Sequence, residues 1–274
     1  MKSLSVFVVS HDSELLARVP RLPFLRNILL TDLAIPERFK GDSLSENRFF
    51  LSEEALDVES DFVGLVSARF EEREPDGPGF EGLLNLAQVM NASDCWSPVV
   101  RRVESHLDTF LWIKAQDGLH PGMSKILEDC DKELFSHPSS VTGVIFTGNQ
   151  FIVPREQWIE LVHLWRQGLA AVEQKYGLLP SFSYRCFNCG KHKPEGYWRY
   201  SPTRHLGFIG ERLTALIIAH SGLQPAKEVT NMAVQPMSFR HLFSPSFADL
   251  LGRLIPGLWI LGRFPRRRHC NICI

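Results

Sequence analysis

The chain has 274 residues, 44% of them hydrophobic and 22% charged, with a mean hydropathy of -0.07 and a formal net charge of -1. That composition excludes a disordered polypeptide and a membrane bundle, and leaves a soluble α/β or α+β protein built on one large domain or on a domain with a small appendage. The charge is uneven: residues 1–80 carry nine Lys/Arg against fifteen Asp/Glu, whereas residues 229–274 carry six Arg against the single Asp249. A basic surface that follows a nucleic-acid backbone is absent, so no nucleic-acid partner is expected, while the basic end suits an anionic membrane surface.

Residues 4–9 form a short apolar run ending in Ser-His-Asp, which predicts a buried strand rather than a signal peptide. Residues 27–32 (NILLTD) and 61–67 (DFVGLVS) repeat the pattern. Three such strands predict a mostly parallel sheet whose site lies along the C-terminal strand ends. Residues 71–82 (EEREPDGPGFEG) read as a mobile charged loop. Residues 124–128 read as helix, followed by Asp129-Cys130-Asp131, which spells Asp-x-Asp in the wrong context, since helical carboxylates at that spacing diverge. Asp117, in AQDGLHPG, is a weaker metal candidate still.

Strands are predicted at 142–147 and 151–153, after which Pro154 opens a helix over 155–176 that closes at Gly177. Trp158, Leu161, Val162, Trp165, Leu169, Val172 and Tyr176 recur there at helical spacing, a core stripe. An irregular Cys-containing stretch, 181–203, precedes a helix over 207–220. Residues 247–268 (FADLLGRLIPGLWILGRFPRRR) combine apolar side chains with five Arg, the pattern of an interfacial segment or of a C-terminal helix packed on the core. The uncharged tract 254–262 is nine residues long and cannot span a bilayer, which needs roughly 20. A cytoplasmic protein, peripheral on the inner face of the membrane, is expected.

Three segments taken in order, ESDFVGLVSARF at 59–70, GNQFIVPREQW at 148–158 and RHLGFIGERLTALIIAH at 204–220, resemble bacterial GT-A-type glycosyltransferases of surface-polysaccharide (capsule and lipopolysaccharide) clusters. The resemblance covers roughly residues 4–220 and rests on the three motifs together. It implies an α/β fold with a GT-A-like, Rossmann-type mixed sheet flanked by helices. Residues 1–240 would form the catalytic domain, with 181–203 a Cys-containing insertion, and residues 241–274 a basic amphipathic tail. It also implies a nucleotide-diphosphate sugar as donor and a surface glycan or lipid-linked glycan as acceptor.

Such a reaction develops negative charge on the departing diphosphate, and a cation must meet it. An Asp-x-Asp holding Mg²⁺ or Mn²⁺ at the end of a central strand is the usual solution. Here that strand ends Ser67-Ala68-Arg69, so a buried Arg69 is expected to supply the fixed cation and make transfer metal-independent; the other reading is a surface Arg paired with Glu71, Glu72 or Glu74. Glu211 is the candidate base for the acceptor hydroxyl, or a first-turn residue complementing the helix dipole, with Arg212 as its partner or a second phosphate contact. Ser10, His11, Asp12 and Ser67 would line the nucleotide site. By analogy Asn149 would line the acceptor cleft, or serve as a turn residue.

Two Cys-x-x-Cys pairs, Cys186/Cys189 and Cys270/Cys273, would complete a Cys₄ structural zinc site if the tail folds back; otherwise the tail pair, Cys270/Cys273, is a pair of free thiols beside a membrane. Cys95 and Cys130 read as buried thiols. The rival to a transferase is a non-catalytic, zinc-stabilised binding or scaffold protein that keeps the fold, motivated by the missing Asp-x-Asp.

Overall fold

The computed structural model describes residues 1–39, 44–98, 100–103, 113, 123–135, 143–146, 149–176 and 205–226. Its centre is a four-stranded sheet in the order β2-β1-β3-β7. Strand β1 (Leu4–Ser10) pairs in parallel with β2 (Leu25–Leu29) on one side and β3 (Phe62–Ser67) on the other. The outermost strand, β7 (Phe151–Pro154), runs antiparallel to β3, with Leu65 opposite Phe151 and Phe62 opposite Pro154. Every residue of β3 is buried, and β1 is buried except at Ser5, because both faces of a mostly parallel sheet are covered. The coarse expectation of a mixed, mostly parallel sheet flanked by helices is met. Two small pairs complete the named strands among the described residues: β4 (Asp94–Cys95) with β8 (Gln224–Pro225), and β5 (Val100–Val103) with β6 (Gly143–Phe146).

Helices among the described residues include α1 (Ser13–Arg18), α2 (Phe70–Arg73), α3 (Gly79–Val89), α4 (Met123–Leu134), α5 (Arg155–Tyr176) and α6 (His205–His220). A 3₁₀ segment, Ser45–Leu51, crosses between the sheet and α5 and α6. Its Phe49 and Phe50 enter an aromatic cluster with Phe7 of β1, Phe151 of β7, and Trp158 and Trp165 of α5. Both indole N–H groups are satisfied there: Trp158 donates to the Ala55 carbonyl at 2.6 Å and Trp165 to the Gly210 carbonyl at 3.1 Å. The helical stripe is therefore core, as its spacing predicts, and all but Tyr176 of its seven members are buried. No helix among the described residues is long and apolar enough to cross a membrane.

Several boundaries differ from the sequence expectation for identifiable reasons. Strand β2 starts two residues early and stops at Leu29, because Leu30 N–H caps the Ser10 carbonyl and Asp32 N–H turns back to Leu29. Pro154 ends β7 instead of opening α5; a proline is tolerated there because β7 is the outermost strand. Residues 71–82 are mostly helical, in α2 and the start of α3. The reason is hidden in that charged sequence: Phe70 and Phe80 are buried edge to face, 5.5 Å apart, and the Glu71 carboxylate accepts from Phe80 N–H at 2.9 Å. Helix α6 begins at His205, so Glu211 lies in its second turn, away from the strongest field of the helix N-terminus. Asp117, Gly177, residues 181–203, the four paired cysteines and the basic tail lie outside the described residues.

Candidate functional site

Strand order 2-1-3 places a topological switch point between β1 and β3, where ligands bind in open α/β sheets. The residues emerging there are Ser10-His11-Asp12 and Ser67-Ala68-Arg69. Val9 lies opposite Ser67, and Ala68 N–H donates to the Val9 carbonyl at 3.0 Å, so the two strand ends are held side by side. Ser10 and Ser67 are both buried, and their hydroxyls make the same local bond: Ser10 Oγ accepts from Asp12 N–H at 3.0 Å and Ser67 Oγ from Arg69 N–H at 3.2 Å. Asp12 caps α1, accepting from Glu14 N–H at 2.8 Å.

Arg69 is not buried: its side chain is 54% exposed and lies 3.9 Å from Glu72, one turn along α2. The deeply buried cation at this edge is Arg48, 4% exposed, which the sequence reading passed over. It stands on the 3₁₀ segment Ser45–Leu51 and reaches beneath the strand ends, Nη2 3.2 Å from His11 Nδ1 and Nη1 3.5 Å from the Leu30 carbonyl. A guanidinium is donor only, so His11 Nδ1 accepts, and the imidazole is held with Nε2 as its own donor. The signal that could have found Arg48 is its place in NRFF: a charge beside two core aromatics has to be buried for a reason.

Neighbouring Asn47, 1% exposed, donates to the Gly207 carbonyl of α6 at 2.9 Å, tying that helix to the same segment. The approach is close: a Cβ on Gly210 would meet Asn47 Cγ and Trp165 Cζ2, each at 2.9 Å. Glu211 and Arg212 follow that contact and pair with each other at 2.7 Å, 28% and 18% exposed. Asn149 and Gln150 lead into β7, whose first residue, Phe151, lies opposite Leu65 of β3.

The Asp129/Asp131 pair diverges as helical geometry requires. Asp129 accepts from Tyr176 Oη and, at 2.8 Å, pairs with Lys175. Burial tends to raise its carboxyl, but the bonds from Lys175 and Tyr176 outweigh this and hold it below its ordinary value. Asp131 instead meets His220 Nε2 at 2.7 Å, the ring stacked on Phe135. Among the described residues no group of three or more His, Cys, Asp or Glu could hold a metal ion. Nor does Ser67-Ala68-Arg69 supply the carboxylate pair that a catalytic divalent ion would need. Cys95 and Cys130 are buried thiols; burial, with neighbouring carboxylates, raises the first and pushes the second up to about 12.

Two cavities lie elsewhere. One of about 140 Å³ is bounded by Phe135, Leu161, Leu164 and Ile217, and one of about 540 Å³ by Leu4, Leu22, Phe24 and Leu84 at the opposite edge of the sheet. Neither touches Ser10–Asp12 or Ser67–Arg69. Comparison of the chain with protein families, curated proteins and solved structures finds no match.

Proposed function

We propose that the protein is a glycosyltransferase that moves a sugar from a nucleotide-diphosphate donor to a surface glycan or glycolipid. The observation that carries this reading is the juxtaposition at the β1/β3 switch point: two strand ends bearing Ser10–Asp12 and Ser67–Arg69, with the buried Arg48 guanidinium beneath them. A diphosphate offers only acceptors, and this edge offers a buried cation, an exposed one, and a histidine held with Nε2 as donor. The motifs at 59–70, 148–158 and 204–220 resemble the same class.

In the reaction the acceptor hydroxyl oxygen bonds to the anomeric carbon, and the bond to the diphosphate breaks with its electron pair leaving on the phosphate oxygen. Arg48 and Arg69 would meet that charge, and the Glu211 carboxylate would take the hydroxyl proton. No step is routed through a metal ion. The reading extends to a structural zinc on Cys186, Cys189, Cys270 and Cys273, tested by the zinc content of the purified chain, and to a tail that attracts anionic lipid.

The central test is thermal stabilisation by a panel of nucleotide sugars, each with and without EDTA. A ligand at 100 times its Kd adds about 2.7 kcal/mol. Stabilisation that survives chelation supports the reading; no response to any donor or nucleoside diphosphate sinks it and leaves the scaffold alternative.

A further inference from the structure

Two amide side chains at the C-terminal end of β3 have acceptors and nothing to accept. The Asn149 Oδ1 and Gln150 Oε1 atoms are both shut away from solvent, and neither meets a hydrogen-bond donor. Buried carbonyl oxygens are nearly always paired, because leaving one unpaired forfeits its water without replacement. Finding two in consecutive residues is a local conflict of the kind that natural sequences keep at functional sites.

Their position says which site. Strand β7 enters the sheet at Phe151, opposite Leu65, two residues before the buried Ser67 that ends β3. Asn149 and Gln150 therefore flank the β1/β3 crevice on its β7 side, while Arg48 and His11 lie on its β1/β2 side. The Arg48 guanidinium and the two amide oxygens have opposite chemistry. A guanidinium donates, and suits phosphate oxygens; unfilled amide oxygens need donors, which a diphosphate does not possess.

We propose that Asn149 and Gln150 form a hydroxyl-recognition subsite for a sugar, set across the crevice from the cationic side that takes the diphosphate. This rests on the nucleotide-sugar reading above and adds to it a division of the crevice into a donor side and an acceptor side. The hydroxyls come either from the sugar to be transferred or from the glycan that receives it. Gln150 belongs to the subsite on the same ground as Asn149, its orphaned oxygen. Since the two amides are unfilled in the free protein, their cost is carried by its stability and recovered on binding.

The test uses the full chain and the variants Asn149→Leu and Gln150→Met. Thermal midpoints are measured alone, with UDP against UDP-glucose, with GDP against GDP-mannose, and with UDP plus maltotriose. The expected result has three parts. Each variant melts at or above the wild-type temperature. Each keeps the wild-type response to the free nucleoside diphosphate. Each loses most of the extra stabilisation that the wild type gains from the sugar, and the arm in which that extra appears, nucleotide sugar or maltotriose, names the source of the hydroxyls.

A lowered midpoint in both variants would overturn the proposal, since it would mean that the amides are partnered in the free protein. So would a sugar increment that persists in them, or a wild type that binds nucleotide with no sugar increment in any arm. Failure of every nucleotide and nucleotide sugar to bind would overturn the functional reading itself, a distinguishable outcome. As a second readout in the intact chain, the side-chain NH₂ resonances of both residues should shift on addition of the sugar-bearing probe and stay in place with the nucleoside diphosphate.

Discussion

Arg48 holds His11 from beneath: the guanidinium, 4% exposed, places Nη2 3.2 Å from the imidazole Nδ1 across 37 residues of sequence. A charge is buried at the end of the sheet, and a titratable ring is oriented by a donor that cannot turn into an acceptor.

Replacing Arg48 with Met should remove both effects. The Leu30 carbonyl and His11 Nδ1 lose a buried donor, which costs about 1–3 kcal/mol in urea unfolding. Stabilisation by UDP and GDP should fall along with it. Arg48→Lys keeps the charge but cannot fork to two acceptors, so it should recover part of the nucleotide response. An Arg48→Met protein that binds nucleotide normally would show that the buried cation serves folding alone.

Glu211→Gln keeps shape and size while removing the charge that pairs with Arg212 at 2.7 Å. If Glu211 takes the acceptor proton, transfer should fall about 10²- to 10⁴-fold, with donor stabilisation unchanged. Normal turnover in this variant would assign the pair to helix packing.

The two close helix contacts should respond differently to a single methyl. At Gly210 the added Cβ meets an amide and an indole, both held by hydrogen bonds, and Gly210→Ala should lower stability by about 1–3 kcal/mol in spite of alanine's better helix propensity. At Gly168 the nearest atoms are the Leu213 methyl tips at 2.8 and 3.0 Å, which can rotate. There the propensity gain of about 1 kcal/mol offsets the crowding, and Gly168→Ala should be close to neutral by denaturant titration.

Asp61 should contribute to acid sensitivity. Ser3 donates to its carboxylate from the backbone at 2.7 Å and from the hydroxyl at 2.9 Å, and these bonds lower the carboxyl from its ordinary value. A lowered folded-state value means that the stabilisation is present above the carboxylate's unfolded value and lost as pH falls through the folded one. The stability difference between wild type and Asp61→Asn should thus be constant from neutral pH down to about pH 5 and vanish in stronger acid. A difference that grew on acidification would have the wrong sign.

Cys95 and Cys130 should be inert. Burial, reinforced by Asp129, Asp131 and Glu133, pushes the Cys130 thiol up to about 12, and Cys95 is fully buried beside Asp94. Of the six cysteines, no more than four should react with iodoacetamide at pH 8 before unfolding, the two protected ones being identified by peptide mapping.

What could be read from residue order alone was whatever depends on neighbours along the chain. The apolar runs at 4–9 and 61–67, the helical stripe from Trp158 to Val172, the buried thiols and the divergence of Asp129 from Asp131 are consequences of period and composition. The polar residues at the ends of β1 and β3 were legible for the same reason, since a buried run that stops at Ser-His-Asp marks its own strand end. The charged stretch at 71–82 was misread because its ordering comes from Phe70 packing on Phe80, and Arg48 was missed because its partners, His11 and Leu30, lie 37 and 18 residues away. Likewise only the antiparallel register of β7 on β3 brings the segment that Asn149 and Gln150 lead into to the C-terminal half of β3, and only burial leaves their oxygens without donors. Local periodicity therefore determined which segments become strands and helices, while long-range pairing decided which charge is desolvated and which acceptors go unfilled. The cost of burying a polar group depends on what the folded chain sets beside it, and that is decided in three dimensions.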